Sequence, residues 1–183
     1  NEVSKSVKSA NPSWYATLHF AERLPRTSVE APIQSAKSRP MPATPQFRVT
    51  LAETEDELRA AQRLRYEVFV VELGSDGPMV DHVARLERDR FDAFFDHLLL
   101  VDDARGAEVV GVYRLLRGDR ARDAGQFYSE DEYDLGALHR SGRRLLELGR
   151  SCLAKPYRGG PGMYHLWQGV AQYVETHGIE ILF

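Results

Sequence analysis

The stretch from Leu145 to Gly178 most constrains the fold of this chain. An apolar run, Leu145 to Leu153, leads into Tyr157-Arg158-Gly159-Gly160-Pro161-Gly162-Met163. A helical pattern follows from about Pro161 to His177, with Met163, Leu166, Val170 and Val174 on one face. Pro161 suits a first helical turn and Gly178 a C-cap. The unit therefore reads as strand, glycine-rich loop, helix. Beyond it, Ile179 to Phe183 is apolar and β-branched, so a further strand is expected to need a partner. The natural protein is expected to continue past Phe183.

The upstream residues complete the pattern. Phe47, Val49 and Leu51 alternate as in a short strand. Thr54 and Glu57 form a capping box, and a helix is expected from Glu55 to about Glu72 with Leu58, Ala61, Leu64 and Val68 as its stripe. Gly74, Gly77 and Pro78 break the chain. Phe94 to Val101 and Glu108 to Leu116 flank Asp102-Asp103-Ala104-Arg105-Gly106, which predicts a β-hairpin. Ser129 and Glu132 suggest a second capping pattern. Together the elements predict an α/β (α+β) fold, a mixed central sheet flanked by helices. Residues 1–46 hold six of the nine prolines and read as a flexible tail or linker, leaving 47–183 as the folded domain. Within the tail, Trp14 to Phe20 is apolar enough to dock, on its own domain or on a membrane surface.

Composition removes several function classes. A net charge of -3 carries no bulk basic footprint for nucleic acid. A single cysteine, Cys152, makes no internal disulfide and no multi-cysteine metal site, and it reads as a small core residue. His82, His97, His139 and His165 lack metal-ligand spacing, so no metal is expected. No apolar run approaches the roughly 20 residues of a membrane span. A reducing cytoplasm fits these features.

Two features carry chemistry. The glycine-rich loop between strand and helix lets backbone approach a ligand, and free N–H groups at the helix start favour an anion. Arg158 adds a planar cation there. A plain glycine turn has the same composition. The second feature is charge inside apolar surroundings: Arg65 in Arg-Tyr-Glu-Val-Phe, Glu87, Asp89 and Asp92, Arg114 at a strand end, and Glu147 with Arg150 in a central strand. Each alone also fits a solvated surface charge. Glu147 and Arg150 are the harder pair to place on a surface, because charges in a central strand need partners. Positions i and i+3 face opposite sides of a regular strand. Both reach one site only across a β-bulge, for which Gly149 is the natural place.

The elements Arg-x-x-Val-Phe, Glu-x-Asp-x-x-Asp, Arg-Leu-Leu and Glu-x-x-Arg occur here in one order, together with the Tyr157–Gly162 loop. In this the chain resembles ornithine-acyl carrier protein N-acyltransferases and acyl-homoserine-lactone synthases, both of the GNAT superfamily. Asp96-His97-Leu98-Leu99, Gln126 to Leu135 and Leu166-Trp167-Gln168-Gly169 look like segments of the ornithine branch, and no tryptophan follows the first helix as it does in the lactone synthases. The resemblance implies a GNAT-like fold, incomplete at the C-terminus, and transfer of a 3-hydroxyacyl group from acyl carrier protein to the α-amine of ornithine in bacterial ornithine-lipid synthesis. It implies Glu147 as first candidate base, Asp89 or Asp92 as second, a backbone N–H near Gly149 for the oxyanion, and Arg150 beside them. Arg65, Phe69, Glu87 and Arg114 would bind the acceptor. Arg158, Gly159, Gly160 and Gly162 would hold the phosphate of a phosphopantetheine arm, on carrier protein or coenzyme A, with no permanently bound cofactor. Arg117, Arg120, Arg122, Arg140, Arg143 and Arg144 would form a landing patch for the acidic carrier. The alternatives are a lactone synthase using S-adenosylmethionine, and a non-catalytic module binding acyl carrier protein or a membrane. A cytoplasmic location, with peripheral contact to the inner membrane, completes the expectation.

Overall fold

The computed structural model describes residues 44–183. The Trp14–Phe20 segment lies outside the described residues. The elements run β1 (Phe47–Leu51), α1 (Glu55–Arg65), β2 (Val80–Asp81), β3 (Leu86–Glu87), β4 (Asp96–Asp102), β5 (Glu108–Arg117), α2 (Gly118–Ala124), α3 (Gly136–Arg140), β6 (Leu145–Leu153), α4 (Gly162–His177) and β7 (Ile181–Leu182). The main sheet has the order β1-β4-β5-β6-β7, antiparallel except for the parallel β6–β7 pair, while β2 and β3 form a separate ribbon.

Alternation along β4 divides the core. Leu98 and Leu100 pack with Leu166, Val170 and Tyr173 of α4. Leu99 and Val101 pack with Ala61 and Leu64 of α1. Successive strand residues face opposite sides, so α1 and α4 cover opposite faces of one sheet. Near the start of β6 a third cluster gathers Phe91, Phe95, Leu116, Phe127 and Leu145.

Local signals were realised at both helices. The Thr54 hydroxyl accepts from the Glu57 N–H at 3.2 Å, and Glu57 reaches back to the Thr54 N–H at 3.0 Å. Gly178 ends α4 at φ 59, in the left-handed region. The first helix does continue to Glu72, but residues Tyr66–Glu72 are π-helical. Sequence periodicity does not signal this change, which re-aims the side chains of the last turns. The Ser129/Glu132 capping pattern is not used. Tyr128–Asp131 form a short 3-10 turn instead, and Ser129 points its hydroxyl at Glu147.

α4 lies very close to the sheet at Gly169. A Cβ there would sit 2.5 Å from Val49 Cγ1 and 3.1 Å from a Leu98 methyl. Gly169→Ala gains about 1 kcal/mol of helix propensity. Overpacking a β-branched neighbour costs about 1–3 kcal/mol. The expected result is a net loss of about 1 kcal/mol, read as a lower urea midpoint; a higher midpoint would mean that α4 can lift from the sheet.

Candidate active site

The charged residues flagged in the sequence meet on the α1 face of the sheet. α1 supplies Arg65, the segment after β2 supplies Glu87, Asp89 and Asp92, β5 supplies Arg114 and β6 supplies Arg150. Arg65 is fully buried, with Nε 2.6 Å from Glu87 and Nη2 2.7 Å from Asp92. Arg114 Nη1 donates to Asp89 and Asp92, both at 2.8 Å. Its guanidinium lies 4.2 Å from the Phe95 ring centre and 5.3 Å from that of Tyr128. Arg150, the one partly exposed arginine of the set, reaches Glu87 at 2.9 Å and stacks on Phe69 at 5.1 Å. Three arginines thus face three carboxylates, which offsets the desolvation that isolated charges would suffer.

Burial alone would raise the Asp92 carboxyl. The hydrogen bonds and charge of Arg65, with the charge of Arg114, outweigh it and hold the carboxyl at about 2. His97 shares the site, and burial pushes its imidazole down to about 4, so the ring is neutral. Its Nε2 donates to the Asp92 carbonyl at 3.1 Å. Hydrogen-bonding capacity remains. Arg114 Nε and Nη2, Arg150 Nε, His97 Nδ1 and both Glu87 oxygens are buried without a well-angled partner. Glu87 lies within ion-pair distance of two arginines, yet off the hydrogen-bond directions, so charge rather than hydrogen bonding holds it. Buried polar atoms without partners are uncommon, and they mark where water or a polar ligand fits.

The bulge in β6 is present. Between Cys152 and Gly149 the strand advances three residues while β5 advances two, from Val112 to Arg114. The left-handed residue is Arg150, at φ 49, rather than Gly149. A non-glycine residue there is strained, and such strain gathers at functional sites. The turn brings Arg150 to the face that Glu147 occupies. Glu147 itself is fully engaged. Its oxygens accept from the Tyr128 and Ser129 N–H groups at 2.8 Å each and from the Ser129 hydroxyl. A buried carboxylate with these three donors anchors the 128–131 turn, which sets the Tyr128 ring against Arg114. The geometry thus runs against the expectation that Glu147 is the base. Glu147→Gln is expected to lose about 1–3 kcal/mol of stability, because one N–H then meets an amide NH₂. The pH profile of kcat should keep its shape; loss of its acidic limb with stability unchanged would return Glu147 to the base role.

The glycine loop lies between β6 and α4. α4 begins there without a side-chain cap. A cavity of about 550 Å³ beside the loop is lined by Phe47, Pro156, Tyr157, Arg158, Gly160 and His165 among others. A Cβ at Gly162 would press on the Tyr157 carbonyl at 3.3 Å and meet Leu100 and Leu153 in ordinary contact at 3.4 Å. Arg158 is turned to Glu72 and the Leu153 carbonyl. Cys152 lies in the core, its thiol pushed up to about 12 by burial, which leaves no nucleophile there. The expected landing patch sits elsewhere. Arg117, Arg122, Arg143 and Arg144 line a cleft of about 810 Å³ with His177 and Ile179, at the C-terminal end of α4. The loop is at its N-terminal end, and a helix of 16 residues is about 24 Å long. Arg120 is spent on the Ala93 and Phe94 carbonyls.

Sequence reasoning passed over Gln62, Phe95, Tyr128 and Glu72. Gln62 had a signal: it donates to Asp92 at 2.9 Å from the buried side of α1, one turn before Arg65. The aromatic rings had none, because their role depends on Arg114 lying between them.

The acetyltransferase (GNAT) domain model matches residues 64–168, the span that holds nearly all of these groups. The chain belongs to the GNAT family. An L-ornithine N(alpha)-acyltransferase of Rhodobacter capsulatus is 55% identical over 141 residues, 75% of this chain and 54% of the relative. One of Brucella abortus is 42% identical over 141 residues, 74% of this chain and 50% of the relative. This GNAT chain therefore spans about half the length of the curated relatives it matches. Among solved structures, FeeM, an N-acyl amino acid synthase from uncultured soil microbes, superposes at TM-score 0.57 with 16% identity, covering 76% of this chain and 70% of that one. The AHL synthase LasI superposes at 0.54 with 22% identity, covering 76% and 71%. Both likenesses show the GNAT fold.

Proposed function

We propose that the full protein transfers a 3-hydroxyacyl group from acyl carrier protein to the α-amine of ornithine, the first step to an ornithine lipid. The carrying observation is the buried, charge-balanced cluster beside the β6 bulge, whose Arg150, Glu87 and Arg114 edges keep unused hydrogen bonds. An amino acid with a second ammonium presents the complementary groups. The names of the relatives from Rhodobacter capsulatus and Brucella abortus support the same acceptor.

In this reading the donor thioester lies along the outer edge of β6, its phosphate on the Arg158–Gly162 loop. The acceptor carboxylate meets Arg150 beside Phe69, and its side-chain ammonium meets Glu87. Asp89 takes the proton of the attacking amine. It is less committed than Glu147 or Asp92, with one backbone N–H from Phe91 and one ion pair to Arg114. A backbone N–H at the bulge steadies the oxyanion, and the thiolate leaves with a proton. Arg65, with Asp92, positions Glu87 rather than touching substrate. The protein works at the cytoplasmic side of the inner membrane, where its amphiphilic product would partition. No helix among the described residues is long and apolar enough to cross a membrane.

The test is acyl transfer by the full chain from 3-hydroxyacyl carrier protein, offered ornithine or S-adenosylmethionine, with products read by mass. Acyl-ornithine is the expected product. Acyl-homoserine lactone would assign the chain to signal synthesis, and no product with either acceptor would favour a binding module.

A further inference from the structure

The glycine loop carries its own counter-ion. Arg158 gives Nη1 and Nη2 to the two oxygens of Glu72, at 2.7 and 3.1 Å, and Nε to the Leu153 carbonyl at 2.9 Å. Glu72 is the last residue of the π-helical segment. The bond from Arg158 holds its carboxyl below the usual range, with the charges of Arg158 and Lys155 adding to the effect. The loop mouth thus combines two cations with one carboxylate, and the Arg158 fork is already filled by that carboxylate.

We propose that Glu72 sets donor choice at this loop, admitting the single phosphodiester of a carrier-bound phosphopantetheine and opposing the pyrophosphate and 3′-phosphate of free coenzyme A. The proposal rests on the reading that the loop holds the donor phosphate. Two cations against Glu72 leave one positive charge, which matches one phosphodiester. That group can take the uncapped N–H groups at the start of α4 without claiming the Arg158 fork. A pyrophosphate needs more donors and brings further negative charge toward Glu72. Each added like charge contributes its own repulsion, which salt screens at this exposed pair and low salt leaves in force. Discrimination by a built-in repulsive group is how close analogues are commonly told apart.

The experiment compares the full chain, Glu72→Gln and Arg158→Gln, each with the same acyl group on carrier protein and on coenzyme A. Glu72→Gln keeps an acceptor oxygen for Arg158 and removes the charge. Its kcat/KM for the coenzyme A thioester, relative to the carrier thioester, is expected to rise about tenfold at low salt. The change should lie in KM rather than kcat, and calorimetry should show tighter binding of free coenzyme A. Arg158→Gln should raise KM for both donors. An unchanged donor ratio in Glu72→Gln, or equal weakening of both donors, would overturn the proposal and leave Glu72 a mere anchor of the loop. If Arg158→Gln changed neither KM, the charge at the loop would not act on the donor phosphate, and the proposal would fall with that reading.

Discussion

Arg65→Met is expected to lower the stability of the domain by about 3–5 kcal/mol, the range seen when one partner of a buried ion pair is removed. Arg65 is fully buried and holds Glu87 at 2.6 Å and Asp92 at 2.7 Å. Methionine fills similar volume but leaves both carboxylates without their main partner, with Arg114, Arg150, Gln62 and the neutral His97 still nearby. Domains of this kind carry about 5–15 kcal/mol in all, so the variant should sit near the edge of folding at room temperature. Urea unfolding measures the loss. Arg65→Met with Asp92→Asn should lose less than the two single changes added together, since the second change removes a charge that the first has stranded. Arg65→Lys is not a conservative control, because one ammonium cannot reproduce the fork that spans Glu87 and Asp92. A loss below about 1 kcal/mol for Arg65→Met would place the cluster in solvent, where ion pairs contribute that little.

What the sequence revealed, and what it did not, follows the range of the forces involved. The capping box of Thr54 and Glu57, the Gly106 hairpin and the Gly178 cap are set within a few residues, and all formed as read. The β6 bulge was legible because Glu147 and Arg150 break an apolar run that only a change of register can reconcile. Which residue bears the strain was not legible, since Arg150 takes φ 49 while Glu87 and Phe69, both distant in sequence, hold its side chain. Ser129 was misread for the same reason. A local cap competed with Glu147, and the buried carboxylate won, taking the Ser129 N–H and hydroxyl together with the Tyr128 N–H. The Glu72–Arg158 pair spans 86 positions, and nothing local in either segment announces it. The arginines after β5 read as one patch in sequence. The fold separates that patch from the glycine loop by the length of α4, and it spends Arg117 on Asp96 and Asp119.

Stability should fall as the pH drops from about 6.5 to about 4, with His97 as the main cause. Burial depresses its imidazole from 6.5 to about 4, against the pull of Asp92, while Arg65 and Arg114 add to the depression. The unfolded chain therefore binds a proton that the folded chain refuses throughout that interval. The direction follows from linkage: a depressed group stabilises the fold above its unfolded value, and that contribution is lost as pH falls toward the folded value. A depression of this size corresponds to about 3 kcal/mol. Asp92, held at about 2 instead of 3.8, acts in the same sense but only below 3.8, so it enters after His97 has titrated. His97→Gln separates the two. The amide can still donate to the Asp92 carbonyl, yet it takes up no proton. Urea unfolding at stepped pH should show the wild type losing about 3 kcal/mol more than the variant between pH 6.5 and 4. The two curves should run parallel below pH 3.8, where Asp92 titrates in both. Parallel curves across the whole range would mean that water reaches the imidazole, and that the charged cluster is open on the His97 side.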